Sequence, residues 1–167
     1  MRETHELPTA IATAAERAGI SPAGLEAWRA FLVAHAHVTR RLDDDLRLAH
    51  GISVSEYDAL VQLAHAEGRT LRMNVLADRV LLSRSGLTRL VDRLVEDGLV
   101  ERTHCESDAR GTFAVLTERG LELLRRASAT HLRGVRDHFV DALDPASLGA
   151  LATALGAIAD RPAAPED

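Results

Sequence analysis

Between Ser83 and Val95, five side chains able to donate hydrogen bonds to base edges or phosphates fall on one side of a helical repeat: Arg84, Ser85, Thr88, Arg89 and Arg93. Leu87, Leu90, Val91 and Leu94 form the opposite, apolar stripe, and Asp92 is the only acid among the donors. Ser83 reads as the N-cap, so the first turn would also offer unpaired N–H groups and a partial positive dipole to a phosphate. A helix of this kind fits the major groove of duplex DNA. The competing reading is an ordinary solvated, arginine-rich helix.

Two candidate strands follow, residues 99–105 and 112–116, joined by the polar loop 106–111. Arg102 lies on the first strand, and Asp108 and Arg110 lie in the loop. An arginine at such a tip can enter the narrow, electronegative minor groove while a nearby carboxylate braces the loop. Taken alone, the same residues describe a surface turn with an incidental ion pair worth under about 1 kcal/mol.

The elements that must position these residues are mostly helical. An Ala-rich stretch over 10–18 ends at Gly19, and Ser21-Pro22 then opens a long helix carrying Trp28, Phe31, Leu32, His35, Val38, Leu42 and Leu46 at three- and four-residue spacing. Gly51 stops it. Ser53-Val54-Ser55-Glu56 starts another helix with an apolar face of Tyr57, Leu60, Val61 and Ala64, ending at Gly68. A short helix over 73–80 and a tight Leu81-Leu82 turn lead into the arginine-bearing helix, which Gly98 closes. From Thr117 a helix with Leu121, Leu124, Ser128, Leu132, Val135, Phe139 and Leu143 on one face runs to Asp144-Pro145. A last helix there is striped by Leu148, Leu151, Leu155 and Ile158.

The fold class expected is mainly α with a small two- or three-stranded β wing: a winged helix-turn-helix over 51–116, flanked by long dimerisation helices over 21–50 and 117–160. Residues 1–20 form an extension with a short helix, and 161–167 a disordered tail. A unit of about 60 residues cannot cover the apolar stripes of such flanks, and a twofold homodimer is the commonest solution. A monomer with all helices folded back is the alternative.

A chain of 167 residues, 46% hydrophobic and 27% charged, belongs with folded globular proteins. No apolar run approaches the roughly 18 to 20 residues of a bilayer span, and the first residues lack a secretory core, so no membrane partner and a cytoplasmic location are expected. A single cysteine, Cys105, excludes an intrachain disulfide framework and multi-cysteine zinc sites. The net charge of −5 argues at first against nucleic acid, yet half of the 20 basic residues, all arginine, sit in residues 72–126, a segment with ten arginines and nine acids. Asp43, Asp44 and Asp45 cannot converge on one ion, because consecutive helical residues diverge by about 100°, and they read as a solvated face. No phosphate-binding glycine loop, Ser-His-Asp order or catalytic cysteine–histidine pair appears, so no enzyme and no cofactor are expected.

The segment 71–120 resembles the MarR family of bacterial regulators. The residues that carry the resemblance are Leu76-Ala77-Asp78-Arg79, Leu82-Ser83-Arg84-Ser85, Thr88-Arg89-Leu90-Val91-Asp92-Arg93-Leu94, Gly98-Leu99-Val100-Glu101-Arg102, Asp108-Ala109-Arg110-Gly111 and Leu116-Thr117-Glu118-Arg119-Gly120. The resemblance implies a homodimer built from the terminal helices that binds a pseudo-palindromic operator in double-stranded DNA, with one recognition helix per half-site. Arg84, Ser85, Thr88, Arg89 and Arg93 would then serve the major groove, and Asp108 and Arg110 the wing. The family implies a repressor, with activation also known, released by a small phenolic or aromatic effector where the dimer helices meet the winged unit. Trp28, His35, Tyr57 and His131 are the candidate ligand-binding residues there, although each also reads as core or solvated surface. Zinc-responsive regulation is an alternative, but His35 and His37 point to different faces, and His131 and His138 lie two turns apart. The resemblance places peroxide-sensing cysteines near the first helix, whereas Cys105 is at the wing and reads as an inert small residue. A winged-helix module that meets an acidic protein instead of DNA is the remaining alternative.

Overall fold

A computed structural model describes residues 9–105 and 108–161, with the side chains of residues 9, 10, 12 and 104–111 outside the described set. The elements run α1 (Thr9–Arg17), α2 (Pro22–His50), α3 (Val54–His65), β1 (Thr70–Arg72), α4 (Met73–Arg79), α5 (Arg84–Glu96), β2 (Val100–Cys105), β3 (Asp108–Leu116), α6 (Glu118–His138) and α7 (Pro145–Ala159). The chain divides into two compact units, Met1–Arg40 and Arg41–Asp167. The three strands form an antiparallel sheet in the order β1-β3-β2. It is registered by Leu71 opposite Ala114 and Val100 opposite Leu116. The expected class, helices around a small β wing, is the one observed.

Helix starts follow the side chains that satisfy their orphan N–H groups. Ser53 caps α3 in a full capping box with Glu56, Ser83 accepts from Gly86 N at the head of α5, and Asp144 caps α7 with Pro145 in the first turn. Thr117 caps α6 and also donates to the carbonyls of Gly98 and Leu99, tying the end of the wing to the turn after α5. Gly98 takes φ +69° to leave that helix. Gly120 is a packing requirement: a Cβ there would collide with the Leu99 carbonyl.

In the second unit, Leu46, Leu60, Leu63, Leu76, Leu87, Val91, Leu94 and Val100 are fully buried. They belong to one core, with Ala114 and Leu116 of β3 and Leu124 and Ala127 of α6 packed into it. In the first unit, Trp28 stacks on Phe31 with ring centroids 5.9 Å apart, and Phe31 in turn meets His35 at 6.0 Å. Trp28, Phe31, Leu32 and Val33 nevertheless stay exposed, and α7 buries no residue at all.

Several boundaries and faces depart from the sequence expectation. Helix α3 ends at His65, and Gly68 sits beyond it in a 3-10 turn at φ +59°. Its buried side is Ala59, Leu60 and Leu63 together with Glu56, while Tyr57, Val61 and Ala64 are only half-buried. Helix α6 buries Gly120, Leu124, Ala127 and Gly134, leaving Leu132 largely exposed, and it gives way after His138 to a 3-10 turn over Val140–Ala142. Strand β3 already begins at Asp108, within the stretch 106–111 expected as a loop, and residues 106 and 107 lie outside the described residues. Residues 1–8 and most of the expected tail, 162–167, also lie outside them.

Candidate nucleic-acid interface

Helix α5 buries Leu87, Leu90, Val91 and Leu94 and thereby turns Arg84, Ser85, Thr88 and Arg89 outward, all exposed. Arg84 and Arg89 have no hydrogen-bond or ion-pair partner among the described residues. Both guanidinium groups present their full set of donors outward. The Thr88 hydroxyl donates to the Arg84 carbonyl at 2.9 Å, so its oxygen is left as an acceptor, and Ser85 Oγ lies 3.3 Å from Ser83 Oγ. The turn into this helix runs through Leu81 at φ +54°, a left-handed conformation that β-carbon-bearing residues adopt at a cost.

The later part of the same face is tied down. Asp92 Oδ1 accepts from Arg102 Nη1 at 2.5 Å, and Arg102 Nη2 donates to the Thr88 carbonyl at 3.2 Å, so this strand arginine braces β2 against α5. Arg93 Nε donates to Glu56 Oε1 at 2.7 Å. The outward face is thus split into an early part, where Arg84 and Arg89 have no partner among the described residues, and a later, anchored part, Asp92 and Arg93. Asp108 and Arg110 have strand backbone in β3, and Cys105 in β2, but their side chains lie outside the described residues.

Glu56 and Asp43 extend the anchoring inward. Glu56 Oε2 accepts from Ser53 N at 2.8 Å, and Asp43 Oδ1 accepts from Val54 N at 2.9 Å, so two carboxylates pin the first turn of α3. Arg47 Nε donates to Asp43 Oδ2 at 2.6 Å. Burial works to raise the pKa of Glu56, but hydrogen bonds from Ser53 N–H, Arg93 and the Ser53 hydroxyl outweigh it and hold the carboxyl below its ordinary value. Asp43 behaves alike: burial opposes ionisation, and the bonds from Arg47 and Val54 N–H prevail. The expected solvated face of Asp43, Asp44 and Asp45 therefore holds only for Asp44, since His138 Nε2 also lies 2.9 Å from Asp45 Oδ2.

Of the candidate ligand-binding residues, Tyr57 and His131 come together in the second unit. Their rings stack with centroids 4.4 Å apart, and Tyr57 Oη donates to Ser128 Oγ at 3.3 Å. His131 Nδ1 is buried without a hydrogen-bond partner among the described residues. Burial holds the His131 pKa below its ordinary value, against an opposing pull from the charge of Asp58. Trp28 and His35 come together in the first unit, on either side of Phe31. Among the described residues, no group of three or more His, Cys, Asp or Glu side chains gathers as a metal site would need.

This arrangement recurs in known proteins. The sequence model of the MarR family matches residues 50–111, from the end of α2 into the wing. AbsC, a MarR family transcriptional regulator from Streptomyces coelicolor, superimposes with a TM-score of 0.76 at 40% identity, over 84% of this chain and 95% of that one. The chain belongs to the MarR family. Sco3205, a MarR family regulator from the same organism solved in complex with DNA, gives a TM-score of 0.79 at 34% identity, over 89% of this chain and 95% of that one. The regulator MhqR of Bacillus subtilis is 33% identical over 82 residues, 49% of this chain and 55% of that protein. The chain thus spans about half the length of the curated relatives it matches. The MarR match encloses Arg84, Ser85, Thr88, Arg89 and Arg93, and also Glu56 and Arg102, whose anchoring roles no spacing rule reveals.

Proposed function

We propose that the chain is a cytoplasmic, homodimeric transcriptional regulator that binds a pseudo-palindromic operator by placing α5 of each copy in the major groove, and that it acts as a repressor. The observation that carries the reading is the early part of α5: Arg84 and Arg89 stand exposed, with no partner among the described residues, on a helix whose other side is fully buried. A DNA complex exists for a relative with 34% identity, which supports the same use here. Exposed Trp28, Phe31 and Leu32 on α2, and α7 with Leu148, Leu151 and Leu155 only half-buried and Ile158 exposed, support a second copy as the partner that buries them. Asp108 and Arg110, on the wing, complete the interface by reaching the minor groove.

The proposed release signal is a small phenolic or aromatic compound held by Tyr57 and His131. The buried Nδ1 of His131, without a partner among the described residues and beside the Tyr57 ring, supports this, since an aromatic ring with an acidic group could stack there and satisfy it. Such a ligand releases DNA only if it prefers one spacing of the two recognition helices. The test takes the duplex that the wild-type chain selects from a random-sequence pool, compares it with a scrambled duplex over a salt series, and repeats the comparison with Arg89→Ala. A steep negative salt slope, preference for the selected duplex and its loss in the variant are expected. Equal affinity for both duplexes would favour a module that meets an acidic protein. A thermal-shift screen of phenolic acids, followed by release of the selected duplex, tests the effector.

A further inference from the structure

We propose that Glu56 is a positioning residue of the DNA interface, whose buried carboxylate holds the Arg93 guanidinium so that its two Nη groups serve a backbone phosphate at the edge of the groove entered by α5. The inference rests on reading α5 as the recognition helix.

A capping box asks one oxygen of its glutamate, and Glu56 Oε2 supplies it to Ser53 N at 2.8 Å. The second oxygen, Oε1, has a different use. It accepts from Arg93 Nε at 2.7 Å, across 37 residues of sequence and from α3 to α5. The Glu56 side chain is only 9% exposed while that of Arg93 is 56% exposed, so a buried anion grips an arginine that still reaches solvent. Arg93 Nη1 and Nη2 have no partner among the described residues, which leaves four N–H donors of a planar, immobilised fork available to an acceptor outside the protein. The carboxylate is itself held still, because Asp43 and Ser53 fix the turn of α3 that carries it. Arg93 is the last outward donor of α5, and Arg89, one turn before it, has no partner among the described residues. A guanidinium fixed beforehand in this way loses less side-chain freedom on meeting a phosphate than one that must first be ordered.

The sign of one substitution separates this role from capping alone. Glu56→Gln removes a negative charge close to a polyanion, so Coulomb's law by itself predicts tighter DNA binding, whereas loss of positioning predicts weaker binding. The probe is the duplex the full-length wild-type chain selects from a random pool. Glu56→Gln is expected to weaken binding about three- to tenfold, and to cause no further loss in an Arg93→Ala background, as coupled neighbours do. Arg93→Ala should lower the magnitude of the log–log salt slope by about one. If Glu56→Gln does not fold by circular dichroism, Arg93→Lys decides: it keeps the charge but lacks the fork, and binding close to that of Arg93→Ala is expected. Glu56→Gln binding as tightly as wild type or tighter, or Arg93→Lys binding like wild type, would overturn the inference. Arg89→Ala run in parallel keeps the two readings apart: if it weakens binding while Glu56→Gln does not, only the role of Glu56 fails. If the wild type shows no preference for the selected duplex, the DNA reading fails with it.

Discussion

In the winged unit, Leu60, Leu63, Leu76, Leu87 and Leu94 are fully buried by other parts of the same chain, whereas the 15-residue helix α7, rich in Leu and Ala, buries none of its side chains. Around α2 the contrast repeats: Leu42 and Leu46 near its end are buried, while Trp28, Phe31 and Leu32 further back are exposed. The two regions use apolar residues for different purposes. One has closed its core and can hold α5 rigidly; the other presents apolar surface that the proposed second copy would bury. The sharpest tests of this contrast are substitutions that strike one region and spare the other.

The largest effect is expected in the closed core. Leu60→Ala should lower the unfolding free energy by about 2–5 kcal/mol, read by urea titration, because the packed surroundings of Leu60 collapse only partly around the cavity. On the open region, Leu32→Asp or Ile158→Asp should leave that core intact. Each should weaken self-association by roughly 10- to 100-fold in sedimentation experiments, the equivalent of one apolar side chain no longer buried. A core destabilised as much by Ile158→Asp as by Leu60→Ala would erase the distinction.

Smaller effects sharpen it at the interface. Arg89→Ala should cost roughly 1–3 kcal/mol of affinity for the selected duplex with no change in melting temperature. Ser83→Ala removes the cap of α5 and should cost about 1 kcal/mol of stability. The smallest change concerns pH. His131 has its pKa lowered from 6.5 in the fold, so the neutral ring is favoured and the stability it contributes is present above about 6.5 and lost as pH falls below it. His131→Gln should therefore flatten the fall in melting temperature between about pH 7 and 5. Glu56 and Asp43, also lowered, lose their contribution only further into acid, below the ordinary carboxylate range.

How much of this could be read from the chain depends on the range of the interaction. Caps are local, so Ser53, Ser83, Thr117 and Asp144-Pro145 announce α3, α5, α6 and α7 within a residue or two. Strand β1 has only three residues and no periodicity to detect, and it exists because Leu71 pairs with Ala114 far along the sequence. The buried side of α3 was shifted because Glu56, a residue type rarely buried unless paired, is drawn inward by Ser53 and Arg93. The donor row on α5 is plain from spacing. Its division into an early part and an anchored later part is not, since the anchors Glu56 and Arg102 lie on other elements.

The most direct measurement is a titration of the selected duplex and its scrambled counterpart with the wild-type chain, with the mass of the complex determined at saturation. A homodimeric regulator gives two chains per duplex, a preference of at least roughly a thousandfold for the selected sequence, and affinity that falls steeply with salt. One chain per duplex, or equal affinity for the two sequences, would contradict it.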